Sequence, residues 1–142
     1  MRVNWSVDLP LELRDAITTY VDRYLDFLPN WCHTLEIQLE TDPKADVDVS
    51  MAADYQYRST KMCLKPDFLT RTLEDRELTV VHEFAHVLGA PLVTYVDAVV
   101  AMTEKKDPDT ADMLKALQEA GEEAATEDIA TLLWRLTEDR RV

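Results

Sequence analysis

The stretch Thr72-Leu73-Glu74-Asp75-Arg76-Glu77-Leu78-Thr79-Val80-Val81-His82-Glu83-Phe84-Ala85-His86-Val87-Leu88-Gly89-Ala90-Pro91 divides the chain into two regimes. In the region just before it, from Leu35 to Leu64, apolar residues recur at every second position. Within and after it they recur at every third or fourth, the period of a helix. Thr72 followed by Asp75 three positions on has the form of a capping box, which opens the helix. Gly89 and Pro91 are expected to close it near Leu88, since glycine suits the position after a helix and proline does not continue one.

Upstream, Asp8 is a plausible cap for a first helix whose apolar face is Leu13, Ile17, Tyr20, Tyr24 and Leu28, stopped by Pro29-Asn30. Leu35, Ile37 and Leu39 then alternate with Glu36, Gln38 and Glu40, a half-buried strand. After the turn residues Thr41-Asp42-Pro43-Lys44, the residues Val47, Val49 and Met51 predict a second strand reaching towards Tyr57, and Lys61 to Lys65 a third. Downstream, a separate helix is expected over Leu92 to Thr103. A last helical region follows behind Asp107-Pro108-Asp109-Thr110. Gly121 is expected either to break that region or to admit another backbone closely. The order of elements predicts an α+β fold: an N-terminal helix, a small three-stranded sheet, the motif helix and C-terminal helices, in one domain over residues 1–142.

Composition narrows the function. Fifteen basic and 28 acidic residues give a formal net charge of −13, a surface that repels phosphates at long range. Nucleic acid is therefore not an expected partner. The apolar stretch Leu92 to Met102 is broken by Asp97 and is too short for a bilayer, so no membrane span is expected. Met1 to Ser6 has no apolar segment of the secretory kind. Two cysteines, Cys32 and Cys63, make no disulfide framework. The expectation is a cytoplasmic protein with both thiols reduced.

The chemistry is carried by His82-Glu83-Phe84-Ala85-His86, an H-E-x-x-H sequence. Residues i and i+4 share one helix face, so both imidazoles can reach one ion. Zinc accepts neutral histidine nitrogens, and Glu83 is placed beside the ion, where it can take a proton from water that the metal has acidified. A catalytic zinc usually has a third protein ligand. Leu92 stands where a histidine of the form H-E-x-x-H-x-x-G-x-x-H would be, and His33, the one remaining histidine, precedes the first strand. A carboxylate from a later helix is left. Glu122 and Glu123 are the best placed, with Glu127 and Glu119 behind them. Glu123 shares its face with Thr126 and Ala130, and Glu122 shares its face with Ala125 and Ile129, so periodicity does not separate the two.

His82-Glu83-Phe84-Ala85-His86, followed by Glu122-Glu123-Ala124-Ala125-Thr126-Glu127-Asp128-Ile129-Ala130, resembles the gluzincin type of zinc metallopeptidase. Within that type it is similar to the short H-E-x-x-H proteins of bacteriophages and prophages. His86 to Leu92, with its Ala-Pro, also looks like theirs. More distantly, the chain resembles the repressor-cleaving metallopeptidases of mobile elements. The resemblance implies a minimal zincin-like fold and peptide hydrolysis, with a protein or peptide as substrate and a phage-infected or lysogenic host as the setting. It also implies a zinc held by His82, His86 and Glu123, the last because a small residue, here Ala130, lies seven positions beyond it. Larger gluzincins often carry an Asp four positions after the ligand glutamate, in contact with a ligand histidine; here that position is a glutamate, Glu127.

Trp5, Trp31 and Trp134 read as packing residues, and Met51 and Met62 as sheet core. Tyr55, Tyr57 and Tyr95 are candidate donors to a developing oxyanion, with nothing to choose among them. The strand at Lys61 to Lys65 is expected to be a sheet edge, either open to an extended peptide or protected by its lysines. The rival readings are an acidic interaction module with a structural metal or none, and, behind it, mimicry of DNA by the acidic surface.

Overall fold

The computed structural model describes residues 1–140 and has three α-helices and a four-stranded mixed sheet, an α+β arrangement. The elements are β1 (Arg2–Trp5), α1 (Leu11–Tyr24), β2 (Thr34–Leu39), β3 (Val49–Asp54), β4 (Ser59–Leu64), α2 (Leu73–Glu104) and α3 (Pro108–Leu136). The sheet order is β1-β2-β4-β3. β1 runs parallel to β2, which runs parallel to β4, and β3 is antiparallel to β4.

β1 adds a strand to the three expected. Four residues are too few to show an alternation, and Val3 and Trp5 become legible only beside Leu35 and Ile37 of β2. The strand order also differs at the edges, because β4 pairs with both β2 and β3. β4 lies between β2 and β3, so the edges are β1 and β3, not Lys61 to Lys65. Alternation places Leu35 and Ile37 of β2 and Thr60, Met62 and Leu64 of β4 on one buried face. Against it pack Leu13, Ile17 and Tyr24 of α1 and Val80, Phe84 and Val87 of α2. α1 starts at Leu11 behind Pro10, which has no side-chain cap, so Asp8 does not play that part. At the far end of α1, Arg23 and the Tyr24 hydroxyl both donate to the buried Glu77 carboxylate, at 2.5 and 2.8 Å, which ties α1 to α2. A charge buried that deeply is tolerable only when paired and hydrogen-bonded in this way.

Thr72 does cap α2, its hydroxyl accepting from the Asp75 amide at 3.1 Å. It does not end at Gly89. The helix passes through Pro91 and runs 32 residues to Glu104, so the separate helix expected from Leu92 is its second half. Pro91 withdraws the amide that the Val87 carbonyl would otherwise accept from, a loss of about 3 kcal/mol in a helix interior. Packing against α3, the most extensive between any two elements, continues on both sides of the proline and offsets it. By length and composition alone α2 would pass for a bilayer span; along its first half Glu77, Val80, Phe84 and Val87 are buried in the core.

After a short turn, Asp107 caps α3 by accepting from the Thr110 amide, as expected, and α3 returns antiparallel to α2. Gly121 neither breaks α3 nor admits a close neighbour: a Cβ built there meets no atom within 4 Å. Gly121→Ala is therefore expected to stabilise the protein by about 0.5–1 kcal/mol through helix propensity. The check is the urea midpoint at unchanged slope, and a lowered midpoint would contradict it.

Candidate metal centre

His82, Glu83 and His86 lie in the first half of α2, half-buried, where α3 crosses on one side and the edge strand β3 approaches on the other. One helical turn brings the two imidazoles together with ring centroids 4.8 Å apart and planes at 82°. Their Nε2 atoms are 3.2 Å apart. Glu123 of α3 faces this pair, with one carboxylate oxygen 3.8 Å from His82 Nε2 and the other 3.7 Å from His86 Nε2. These three residues form the one group of histidine, cysteine and acidic side chains among the described residues whose donor atoms converge as for a metal. Two ligands of a tetrahedral zinc, each at about 2.0–2.1 Å, lie roughly 3.4 Å apart. The donor set and its spacing fit that ion.

The second nitrogen of each ring also meets α3. His82 Nδ1 is 3.1 Å from Glu127 Oε1. His86 Nδ1 is 3.3 Å from the Thr126 hydroxyl and 3.5 Å from Glu122 Oε1. An Nδ1–H that donates to such a partner leaves the Nε2 lone pair free and fixes the ring's orientation. Glu122 and Glu123 are adjacent in sequence yet face different atoms: Glu123 the point shared by both Nε2 atoms, Glu122 the far side of His86. About one and a half turns of α3, from Glu122 to Glu127, thus supply these acidic and hydroxyl contacts to the two rings.

Glu83 stands apart from that convergence. Its Oε2 accepts a hydrogen bond from the Met51 amide of β3 at 2.8 Å. Burial pushes the Glu83 carboxyl above the ordinary glutamate range, opposed by the Met51 hydrogen bond and by His86 and His82. A cleft of about 350 Å³ lies alongside, lined by Glu83 and His86, by Met51 and Ala53 of β3, and by Ala90 and Thr94 farther along α2.

Other sequence candidates fall elsewhere. His33 lies before β2, with its ring beside Arg58, and Glu119 is exposed one turn before the cluster on α3. Tyr55 packs edge-on against Trp31, Tyr57 is exposed between β3 and β4, and Tyr95 is exposed beyond the site on α2. None of the three tyrosines lines the clefts at His82 or His86. Sequence reasoning missed the Met51 amide, a backbone group with no sequence signal. It read Thr126 only as a small residue, although its place three positions after Glu123 already put it on the inward face. Comparison with protein-family models, with curated proteins and with solved structures finds no match for this chain.

Proposed function

We propose that the chain is a zinc-dependent peptidase built on a minimal zincin-like fold, in which His82, His86 and Glu123 hold the metal and Glu83 is the general base. The observation that carries this reading is the meeting of both Nε2 atoms and the Glu123 carboxylate at one point, with the Glu83 carboxylate beside them and outside the donor set. When bound there, zinc supplies a Lewis acid that polarises a carbonyl and acidifies water. Glu83 takes the proton from the attacking water on its carboxylate and delivers it to the leaving amine. A carboxyl whose affinity for a proton is raised by burial is better suited to hold that proton between the two transfers. The Met51 amide fixes one Glu83 oxygen and leaves the other to face the reacting groups. Glu127, Thr126 and Glu122 orient the imidazoles. The substrate is a protein or peptide lying in the cleft between β3 and α2, where β3 is a sheet edge.

The test is metal content followed by activity. The purified protein is expected to carry about one zinc per chain by elemental analysis and to cut an unfolded, alkylated protein. A chelator should stop the cutting, and added zinc should restore it. Stoichiometric zinc without chelator-sensitive cleavage would overturn the peptidase reading and leave an acidic binding module.

A further inference from the structure

The chain has two glycines, and both lie inside helices, Gly89 in α2 and Gly121 in α3. Neither has a positive φ, and neither accommodates a close neighbour, since a Cβ at either position would meet open space. Glycine is the less favourable choice than alanine at both sites on backbone grounds. What the two positions share is a cavity of about 320 Å³ between α2 and α3. Val93 and Val96 of α2 and Ala125 and Ile129 of α3 make its walls almost wholly apolar. His86, Val93 and Glu122 line both this cavity and the cleft beside Glu83, so the two spaces adjoin at the candidate metal centre.

We infer that this cavity receives one bulky apolar side chain of the substrate, leucine or phenylalanine, next to the scissile bond, and that Gly89 and Gly121 keep it open. The inference rests on the peptidase reading and adds the substrate class to it. The volume lies at the small end of the range for ligand pockets, about 300–1,000 Å³, which suits a side chain better than a whole cofactor. The walls offer no counter-charge for a basic group deep inside, and the Glu122 carboxylate at the junction disfavours an acidic one.

The experiment uses the zinc-loaded full chain and blocked alanine-based peptides in which one residue is glycine, alanine, leucine, phenylalanine, lysine or aspartate. Cleavage is expected beside leucine or phenylalanine, with kcat/KM at least about tenfold above the alanine peptide. Gly121→Leu should collapse that ratio at unchanged zinc content. Gly121→Ala, the milder change, should lower it partly in a protein at least as stable as the parent. The inference is overturned by a preference for lysine, or by a phenylalanine-to-alanine ratio that Gly121→Leu leaves untouched. A second readout does not need activity: 3-phenylpropanamide is titrated into methyl-labelled protein and followed by NMR. Saturable shifts are expected at Val93, Val96, Leu117 and Ile129 and should be absent in Gly121→Leu. If those shifts appear but no peptide is cut, the cavity stands as an apolar site and the peptidase reading fails. If peptides are cut without preference and the methyls do not move, the cavity inference alone fails.

Discussion

Glu83→Gln is expected to keep about one zinc per chain and to lower peptide hydrolysis by about 10²–10⁴-fold, the usual contribution of a positioned general base. The substitution keeps the shape of the side chain, and the amide oxygen can still accept from the Met51 N–H that now reaches Oε2 at 2.8 Å. It touches none of the three side chains whose donor atoms converge. What disappears is the ability to take a proton. The same change has a signature in stability that does not depend on any substrate. Burial, the largest influence, raises the Glu83 pKa in the folded chain, so folding favours the protonated form. The contribution of this group is then fully present below the unfolded carboxylate range and is lost as pH rises through the folded value. Metal-free Glu83→Gln should therefore be more stable than the parent at pH 8 and nearly equal to it at acid pH where both folds persist. Urea unfolding at the two pH values measures this. Hydrolysis at the parental rate by Glu83→Gln would remove Glu83 from the mechanism whatever the stability data show.

The parts of the fold legible in the sequence are those specified within a few residues. The Thr72 and Asp75 pair opens α2 because a cap needs only local geometry. The alternation in β2 and β4 predicts which side chains are buried, because a strand's two faces differ wherever one of them meets a core. The same locality put His82 and His86 on one face of a helix. The larger failures are cases where a partner distant in sequence decides. β1 exists because residues about thirty positions later offer it a parallel edge. Pro91 breaks helices in isolation, but α3 holds α2 together on both sides of it. Glu122 and Glu123 project about 100° apart around α3, so either could face α2 until the rotation of α3 is known. That rotation is set by Thr126 and Ala130, the buried small residues that let the two helices approach. The Glu127 contact to His82 then follows from the same rotation, one turn after Glu123.

Replacing the residues of the centre one at a time should therefore rank their zinc affinities in an order that no sequence period predicts. His82→Ala and His86→Ala are expected to abolish stoichiometric zinc, because each removes one of the two Nε2 donors that sit 3.2 Å apart. Glu123→Ala should weaken binding by more than about 100-fold, beyond the roughly 10–100-fold typical of losing an orienting partner. Glu127→Ala belongs in that lower range, since its contact is to His82 Nδ1, behind the donor atom. Glu122→Ala should cost less than about tenfold, because Thr126 still meets the same His86 nitrogen, and more closely. Glu123 and Glu127 are 64% and 70% exposed in their side chains. Their removal should change folding stability by no more than about 0.5 kcal/mol, so a loss of zinc would reflect the site and not the fold. Competition against a chromophoric zinc chelator gives the affinities, and urea unfolding of the metal-free variants checks the fold. Zinc retained in Glu123→Ala and lost in Glu122→Ala would mean that α3 presents its other carboxylate to the metal. The third ligand, and with it the junction between the metal centre and the apolar cavity, would then have to be reassigned.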